Sequence, residues 1–186
     1  MEVELSLIEY FWAKQNVDVA GTQCLVSRTG YTGEDGFEVY CPSEQAPEVW
    51  RTLLEEGKPR GLEPVGLGAR DTLRFEACLP LYGHELDEDT NPLEARLSYF
   101  VELDKDGFIG QEAIRKAKEE GLDKRLIGFE VLGRGIPRHG YELYDAEGEN
   151  KLGYVTSGAP SPTLGKNLGL GYVPPEYAKR GTKIKV

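Results

Sequence analysis

A glycine-punctuated segment, residues 28–38, concentrates residue types that could bind a ligand (Arg-Thr-Gly-Tyr-Thr-Gly-Glu-Asp-Gly-Phe-Glu). Glycine recurs at every third position, Gly30, Gly33 and Gly36, and a chain uses glycine where its backbone takes a positive φ or approaches a ligand closely. An aromatic ring, three carboxylates and an arginine accompany the glycines. Such a loop combines backbone N–H groups, a stacking surface and charge. Because strand-like runs flank it, the residue types alone leave open both a plain hairpin and a ligand-binding loop.

A second pair of candidate residues, Arg70 and Arg74, lies one helical turn apart on a helix predicted over residues 67–77. A guanidinium group can hold a carboxylate or a carbonyl group in a forked geometry. The alternative is a structural role, in which these arginines pair with acidic neighbours such as Asp71 or Glu76. Arg74 fits the structural role better, and Arg70 is the better candidate for binding.

The elements that would position these residues are short strands and helices. Apolar runs bounded by turn residues predict four strands, over residues 17–19, 23–27, 36–40 and 98–103. Apolar spacing of helical period predicts helices over residues 46–57 and 67–77. In the second helix, Leu67, Leu73 and Ala77 are expected to face a core.

The pattern changes near Lys105. A short amphipathic helix is predicted over residues 110–120, and five strands separated by Gly and Pro follow it, over residues 125–132, 141–144, 152–156, 168–173 and 182–186. Such spacing is typical of a small barrel or sandwich. Charge changes at the same place, since residues up to Asp104 carry 8 basic and 21 acidic side chains and the remainder carries 14 and 11. We therefore predict an α+β fold with domains at 1–103 and 104–186, the second a small antiparallel β-barrel.

The composition narrows the function classes. A net charge of -10 argues against nucleic-acid binding. Three cysteines without a CxxC pair favour a reducing compartment over a disulfide framework. Having only two histidines argues against a His-rich metal site, and both histidines are expected to be structural. No apolar run reaches membrane-spanning length, and the acidic start, residues 1–4, does not resemble a signal peptide, so we expect a cytoplasmic protein.

Several segments together closely resemble one family, the glycine cleavage system T proteins, or aminomethyltransferases. Residues 27–38 carry the first motif, and residues 66–77 carry the second (Gly-Leu-Gly-Ala-Arg-Asp-Thr-Leu-Arg-Phe-Glu-Ala). Further matches follow in the family's order at residues 81–86, 91–95, 108–110, 137–141 and 153–164. Each motif alone is only suggestive, but their order along the whole chain is highly specific.

The resemblance implies a folate-dependent reaction. An aminomethyl group on the lipoyl arm of the H protein would pass its methylene to tetrahydrofolate, with release of ammonia and of dihydrolipoyl H protein. The resemblance covers about the second half of the family's chain, so residues 1–103 would be the later part of its folate-binding domain. The β-barrel is expected to be truncated. We expect a fragment whose partner is the missing N-terminal half, which carries the family's catalytic aspartate, so no catalytic residue is assigned here. A eukaryotic version would be mitochondrial.

The resemblance also implies roles for four residues of this chain. Glu38 would bind the edge of the pterin ring, where an amino group and a ring N–H lie side by side and match two carboxylate oxygens. Arg70 would contact a carboxylate or a carbonyl group of folate, and Tyr31 would stack on folate or close its pocket. Tyr99 lies where the family often has a tryptophan that lines the site. Each role has a structural alternative: Glu38 could be an ordinary exposed carboxylate on a strand, and the Tyr31 ring could pack in the core.

One departure from the family and two alternative functions accompany the resemblance. Arg96 stands where the family usually has glycine, which puts the backbone path before Tyr99 in question.

The folate-binding half of a dimethylglycine or sarcosine oxidoreductase is one alternative function, and a folate-binding module without catalysis is the other. The related family that acts in iron–sulfur and tRNA modification carries a Lys-Gly-Cys-Tyr-type motif, whereas residues 28–31 are Arg-Thr-Gly-Tyr.

Overall fold

The computed structural model describes residues 4–186, and most of the acidic start, residues 1–3, lies outside them. The chain divides into two compact units, the first ending at Leu79 and the second running from Pro80 to Val186. The predicted boundary after residue 103 rests on composition and charge, and it stays a prediction beside this contact-based division. Within residues 4–186 no helix is long and apolar enough to cross a membrane.

The first unit contains a three-stranded antiparallel sheet in the order β1-β2-β3. Its strands are β1 (Ala13–Val19), β2 (Thr22–Ser27) and β3 (Glu38–Tyr40). A two-residue turn joins β1 to β2, and both of its residues, Ala20 and Gly21, have positive φ, 53° and 78°. This is the backbone sign that tight hairpins favour, because it matches the twist of the strands. The three strands predicted in this part of the chain are confirmed.

The glycine-punctuated segment is the connection between β2 and β3. The register pairs Val26 with Val39 and Ser27 with Glu38, so the hairpin ends directly opposite the carboxylate of interest. The segment is therefore the loop of a β-hairpin, and this geometry is compatible with both a plain hairpin and a ligand-binding loop. Beneath the sheet lies a cluster of buried side chains, to which Phe37 packs from the loop: Ile8, Val17, Cys24 and Val26.

Both predicted helices of the first unit are present, α1 (Ala46–Gly57) and α2 (Leu67–Glu76). The predicted inward face of α2 is wrong. Leu67 is 82% exposed, whereas Arg74 and Phe75 are 1% and 4% exposed. The Arg74 guanidinium is buried beside Asp71, with Nε donating to Oδ1 at 2.8 Å. Because this arginine has a charged partner, it can occupy a buried position, which a purely apolar pattern would not predict for an arginine.

The second unit contains helix α3 (Gln111–Glu120) and a four-stranded antiparallel sheet in the order β4-β7-β6-β5. The strands are β4 (Arg125–Glu130), β5 (Glu142–Tyr144), β6 (Lys151–Ser161) and β7 (Lys166–Val173). Leu143, Val155 and Val173 form its buried cluster. The α+β class and the antiparallel second domain are confirmed. Among the described residues the sheet does not close on itself, since β4 and β5 lie at its opposite ends.

Two predicted strands are absent. Residues 98–103 instead begin with a 3-10 turn, Ser98–Phe100, in which the Phe100 N–H donates to the Leu97 carbonyl oxygen at 3.0 Å. Residues 182–186 make one isolated bridge, between Lys185 and Tyr144, rather than a fifth strand. A strand requires a partner with matching register, and sequence alternation alone does not reveal whether one is present.

Candidate functional site

An ion pair closes the base of the loop. The Arg28 Nε donates to Oδ1 of Asp35 at 2.9 Å and Nη2 donates to Oδ2 at 2.7 Å, a forked arrangement. Nη1 donates to the Ile8 carbonyl oxygen at 3.0 Å, and the guanidinium lies 4.3 Å from the centre of the Tyr10 ring. The hydrogen bonds from Arg28 lower the pKa of Asp35, and the same contacts raise the pKa of Arg28. Asp35 is therefore a charged structural clamp and is not set up as a proton donor near neutral pH.

The three loop glycines are not equivalent. Gly33 has a φ of 79°, and a Cβ built on it would lie 2.6 Å from the Cβ of Ala77. Gly30 and Gly36 have ordinary φ values and open space where a Cβ would stand. The general expectation from the glycine spacing therefore holds at Gly33, where the loop presses on the end of α2.

Glu38 is exposed at the start of β3, and two hydroxyl groups support it from the same hairpin. The Thr29 Oγ1 hydroxyl donates to Oε2 of Glu38. The Ser27 Oγ lies 2.7 Å from the Thr29 Oγ1. The carboxylate is thus accessible and held at one oxygen, which leaves acceptor positions for a ligand with adjacent N–H groups. No sequence pattern distinguishes Ser27 or Thr29, since only the β2–β3 register brings them to Glu38.

Arg70 and Tyr31, which the sequence placed in different elements, lie together. The guanidinium carbon of Arg70 is 4.5 Å from the centre of the Tyr31 ring, within the range of a cation–π contact. Arg70 is exposed on α2, so its charge faces solvent, whereas Arg74 is buried and forms an ion pair with Asp71 at 2.7 Å. The two arginines therefore differ in their surroundings: Arg74 is buried in an ion pair, and Arg70 presents a cation beside an aromatic ring, while the binding role of Arg70 stays a prediction.

Tyr99 belongs to the second unit, and its role stays a prediction. Its side chain is 92% exposed and meets the Phe100 ring edge-on at 5.4 Å between centres. Nearby, Arg96 has a φ of 61°, the left-handed region that favours glycine. Its Nε donates to the Leu126 carbonyl oxygen at 2.6 Å, while burial and the nearby Arg125 lower the pKa of this arginine. The chain thus adopts a glycine-like backbone at Arg96, the position where the resemblance implies glycine.

The two histidines form a small polar cluster in the second unit. The Nδ1 atoms of His84 and His139 lie 3.0 and 2.9 Å from the Thr156 carbonyl oxygen, and their ring centres are 4.4 Å apart. Because a carbonyl oxygen only accepts, each Nδ1 carries the proton in these contacts. Both rings thereby tie loops to β6, which supports the structural role predicted for them.

Two protein-family models match different parts of the chain. The model of the GCVT N-terminal domain matches residues 1–105, and that of the glycine cleavage T-protein C-terminal barrel domain matches residues 124–186. The chain is 58% identical over 183 residues to the aminomethyltransferase of Caldanaerobacter subterraneus subsp. tengcongensis. This alignment covers 98% of this chain and 48% of that protein. It is 54% identical over 184 residues to the aminomethyltransferase of Desulfitobacterium hafniense, with 99% and 50% covered.

A solved structure is also similar. The crystal structure of glycine cleavage system aminomethyltransferase T from Bartonella henselae matches with a TM-score of 0.87 and 32% identity, covering 98% of this chain and 49% of that one. The chain spans about half the length of the curated relatives it matches. The fold is therefore that of a class of proteins in which an α+β part precedes a small antiparallel β domain. The chain belongs to the glycine cleavage T-protein family.

Proposed function

We propose that this chain is the folate-binding and barrel-containing half of an aminomethyltransferase of the glycine cleavage system. The observation that carries the proposal is the high identity, 58% and 54%, to aminomethyltransferases across nearly the whole chain. Those names favour this function over the oxidoreductase alternative. The substrates would be tetrahydrofolate and the aminomethyl group carried by the lipoylated H protein.

The reaction moves one carbon between carriers. The bonds from the aminomethyl carbon to sulfur and to its amino nitrogen break, and two bonds to folate nitrogens form. The two protons that leave the folate nitrogens end on ammonia and on the dihydrolipoyl thiol, so the atoms balance. This chain's contribution is to hold folate in place. We assign no catalytic residue to it, because the resemblance implies that the family's catalytic aspartate lies in the half that this chain does not match.

Glu38 is proposed to anchor the pterin. Its carboxylate is exposed, and Thr29 holds one of its oxygens. A carboxylate accepts two parallel N–H bonds, which suits the amino group and the neighbouring ring N–H of a pterin. The surroundings of Glu38 therefore suit the hydrogen-bonding edge of a pterin.

Arg70 and Tyr31 are proposed to continue the folate-binding surface beside Glu38, and Tyr99 of the second unit is proposed separately to contact folate. The Arg70 guanidinium, 4.5 Å from the centre of the Tyr31 ring, offers a cation for a carbonyl or carboxylate group of folate. Tyr31 offers a flat face for stacking. Tyr99 is a highly exposed ring, and an aromatic face of that kind suits the lining of a folate site.

Calorimetric titration with tetrahydrofolate tests this proposal. It is applied to the 186-residue chain and to a completed chain, in which the unmatched first half of the Caldanaerobacter relative precedes it. Glu38→Ala and Arg70→Ala should each weaken binding to the completed chain by about tenfold or more, since each removes a charge-assisted hydrogen bond of about 1.5–3 kcal/mol.

Glu34→Gln is the matched control, because it removes a loop carboxylate that the proposal does not use. It should change affinity less than about twofold. Unchanged affinity in both Glu38→Ala and Arg70→Ala would overturn the site assignment. A completed chain that neither binds tetrahydrofolate nor transfers methylene from aminomethylated H protein would overturn the function itself.

A further inference from the structure

Two hydroxyl side chains form a directed chain of hydrogen bonds that ends on the Glu38 carboxylate. Thr29 Oγ1 donates to Glu38 Oε2, and Ser27 Oγ lies 2.7 Å from Thr29 Oγ1. An ionised carboxylate only accepts, so the single hydroxyl proton of Thr29 is directed to Glu38. The remaining bond must then run from Ser27 to Thr29. The direction of the chain, Ser27 to Thr29 to Glu38, is therefore fixed by the chemistry of its members.

The backbone holds the two hydroxyls firmly. Ser27 is the last residue of β2 and pairs with Glu38 across the hairpin, and it is only 7% exposed. The next residue, Arg28, donates its N–H to the Trp12 carbonyl oxygen at 2.9 Å and accepts the Phe11 N–H at 3.0 Å. Thr29 follows directly on this paired backbone. Glu38 itself is exposed, and a free glutamate there would sample several rotamers.

We propose that Thr29, oriented by Ser27, is a positioning residue that fixes the Glu38 carboxylate for the pterin edge. The inference rests on the proposed function, because it takes Glu38 as the group that binds folate. Holding one oxygen orders the carboxylate before the ligand arrives, so less rotamer freedom is lost on binding. It also sets the plane of the carboxylate, which two parallel hydrogen bonds require.

The test compares three substitutions on the 186-residue chain and on the completed chain. Thr29→Val keeps the β-branched shape and removes the hydroxyl, and it should weaken tetrahydrofolate binding roughly tenfold. Thr29→Ser keeps the hydroxyl and should restore most of the affinity. Ser27→Ala should have a smaller effect, of a few-fold, because it acts only through Thr29.

Two further measurements separate positioning from a general loss of structure. A folate analogue in which a methyl group replaces the pterin amino group cannot form both bonds, so Thr29→Val should weaken tetrahydrofolate but scarcely affect the analogue. In the completed chain, Thr29→Val should raise KM for tetrahydrofolate and leave kcat nearly unchanged. Equal weakening of both ligands, or a loss of kcat alone, would overturn the positioning role.

A double substitution distinguishes failure of this inference from failure of the proposed function. In a Glu38→Ala background, which leaves the Thr29 hydroxyl no side-chain oxygen at position 38, Thr29→Val should produce no further loss of affinity. If Glu38→Ala weakens binding and Thr29→Val does not, the positioning role is wrong while the anchor stands. If Glu38→Ala leaves tetrahydrofolate affinity unchanged, the anchor is wrong, and the role of Thr29 fails with it.

Discussion

At the scale of single residues, Gly33 is the loop position where replacement has the clearest physical consequence. Its φ of 79° is unfavourable for any residue with a Cβ, and that Cβ would come within 2.6 Å of the Ala77 Cβ. The left-handed backbone costs about 1–2 kcal/mol, and overpacking costs about 1–3 kcal/mol. Gly33→Ala should therefore lower the free energy of unfolding by about 2–5 kcal/mol in urea titration.

Gly30→Ala and Gly36→Ala provide matched controls in the same loop. Both glycines have ordinary φ values and open space where a methyl group would stand. Each substitution should change the free energy of unfolding by less than about 0.5 kcal/mol. Equal destabilisation at all three positions would show that the loop needs glycine for a reason other than a positive φ angle and the close approach to Ala77.

Residue types predicted the candidate site only in part. The exposed Glu38 and Arg70 carry charge types that suggest binding, and the motif around them made both recognisable. Thr29 is chemically ordinary, and it gains its place from the pairing of Ser27 with Glu38 across the hairpin. Likewise the need for Gly33 depends on Ala77, which a different element supplies. Contacts between elements are the information that a local pattern lacks.

At the scale of elements, the loop between β2 and β3 is held by a clamp that depends on pH. Contacts with Arg28 lower the pKa of Asp35 below its ordinary value, so the folded chain favours the ionised carboxylate. The stabilisation is complete above the unfolded pKa of about 4 and is lost as the pH falls through the folded value. The difference in Tm between the natural chain and Asp35→Asn should therefore be largest near pH 6 and shrink below about pH 4.

The neighbouring Glu34 supplies the control for that experiment. Glu34→Gln removes the same formal charge at the adjacent position without touching the Arg28 fork. Its difference in Tm from the natural chain should be small at every pH. Hydrogen exchange across residues 29–37 gives a local readout, which should show faster exchange in Asp35→Asn at pH 6. A difference in Tm that stays constant from pH 3 to pH 6 would contradict the role of the clamp.

Elements with strong local signals were predicted well. Helices α1, α2 and α3 begin and end within a residue or two of the expected positions, because apolar period, glycine and proline act locally. The segment 98–103 has a strand-like composition, yet it begins with a 3-10 turn whose Tyr99 and Phe100 rings are exposed. Strand formation depends on a partner elsewhere in the chain, and no local pattern reports that partner.

At the scale of the whole molecule, residues 80–105 explain why different divisions of the chain disagree. The sequence model of the GCVT N-terminal domain family includes residues 80–105, yet these residues contact the sheet of the second unit. The Leu126 N–H donates to the Glu94 carbonyl oxygen at 2.9 Å, and the buried Tyr172 hydroxyl donates to the Glu85 carbonyl oxygen at 2.7 Å. The change of charge near Asp104 reflects only a difference in composition, whereas the boundary between the compact units is set by long-range hydrogen bonds of this kind.

The segment from Leu7 to Trp12 leads to a prediction about association. Leu7, Phe11 and Trp12 are 72%, 86% and 65% exposed, and Ile8 between them is buried. Several large apolar side chains exposed along one short segment form the kind of patch through which proteins associate. We expect the 186-residue chain to associate at roughly micromolar to millimolar concentrations, with an average mass in light scattering that rises with concentration.

The double variant Phe11→Asn and Trp12→Ser should shift that rise to higher concentration. Asparagine suits position 11 because Phe11 has a φ of 66°, which asparagine tolerates better than most residues. Tyr82→Ser, which removes a 68% exposed ring from the second unit, is the control and should leave the concentration dependence unchanged. The completed chain should associate less if its first half covers the segment. If the unsubstituted 186-residue chain is monomeric at every concentration, the prediction is contradicted, because the exposed apolar patch would then be stable in water without association.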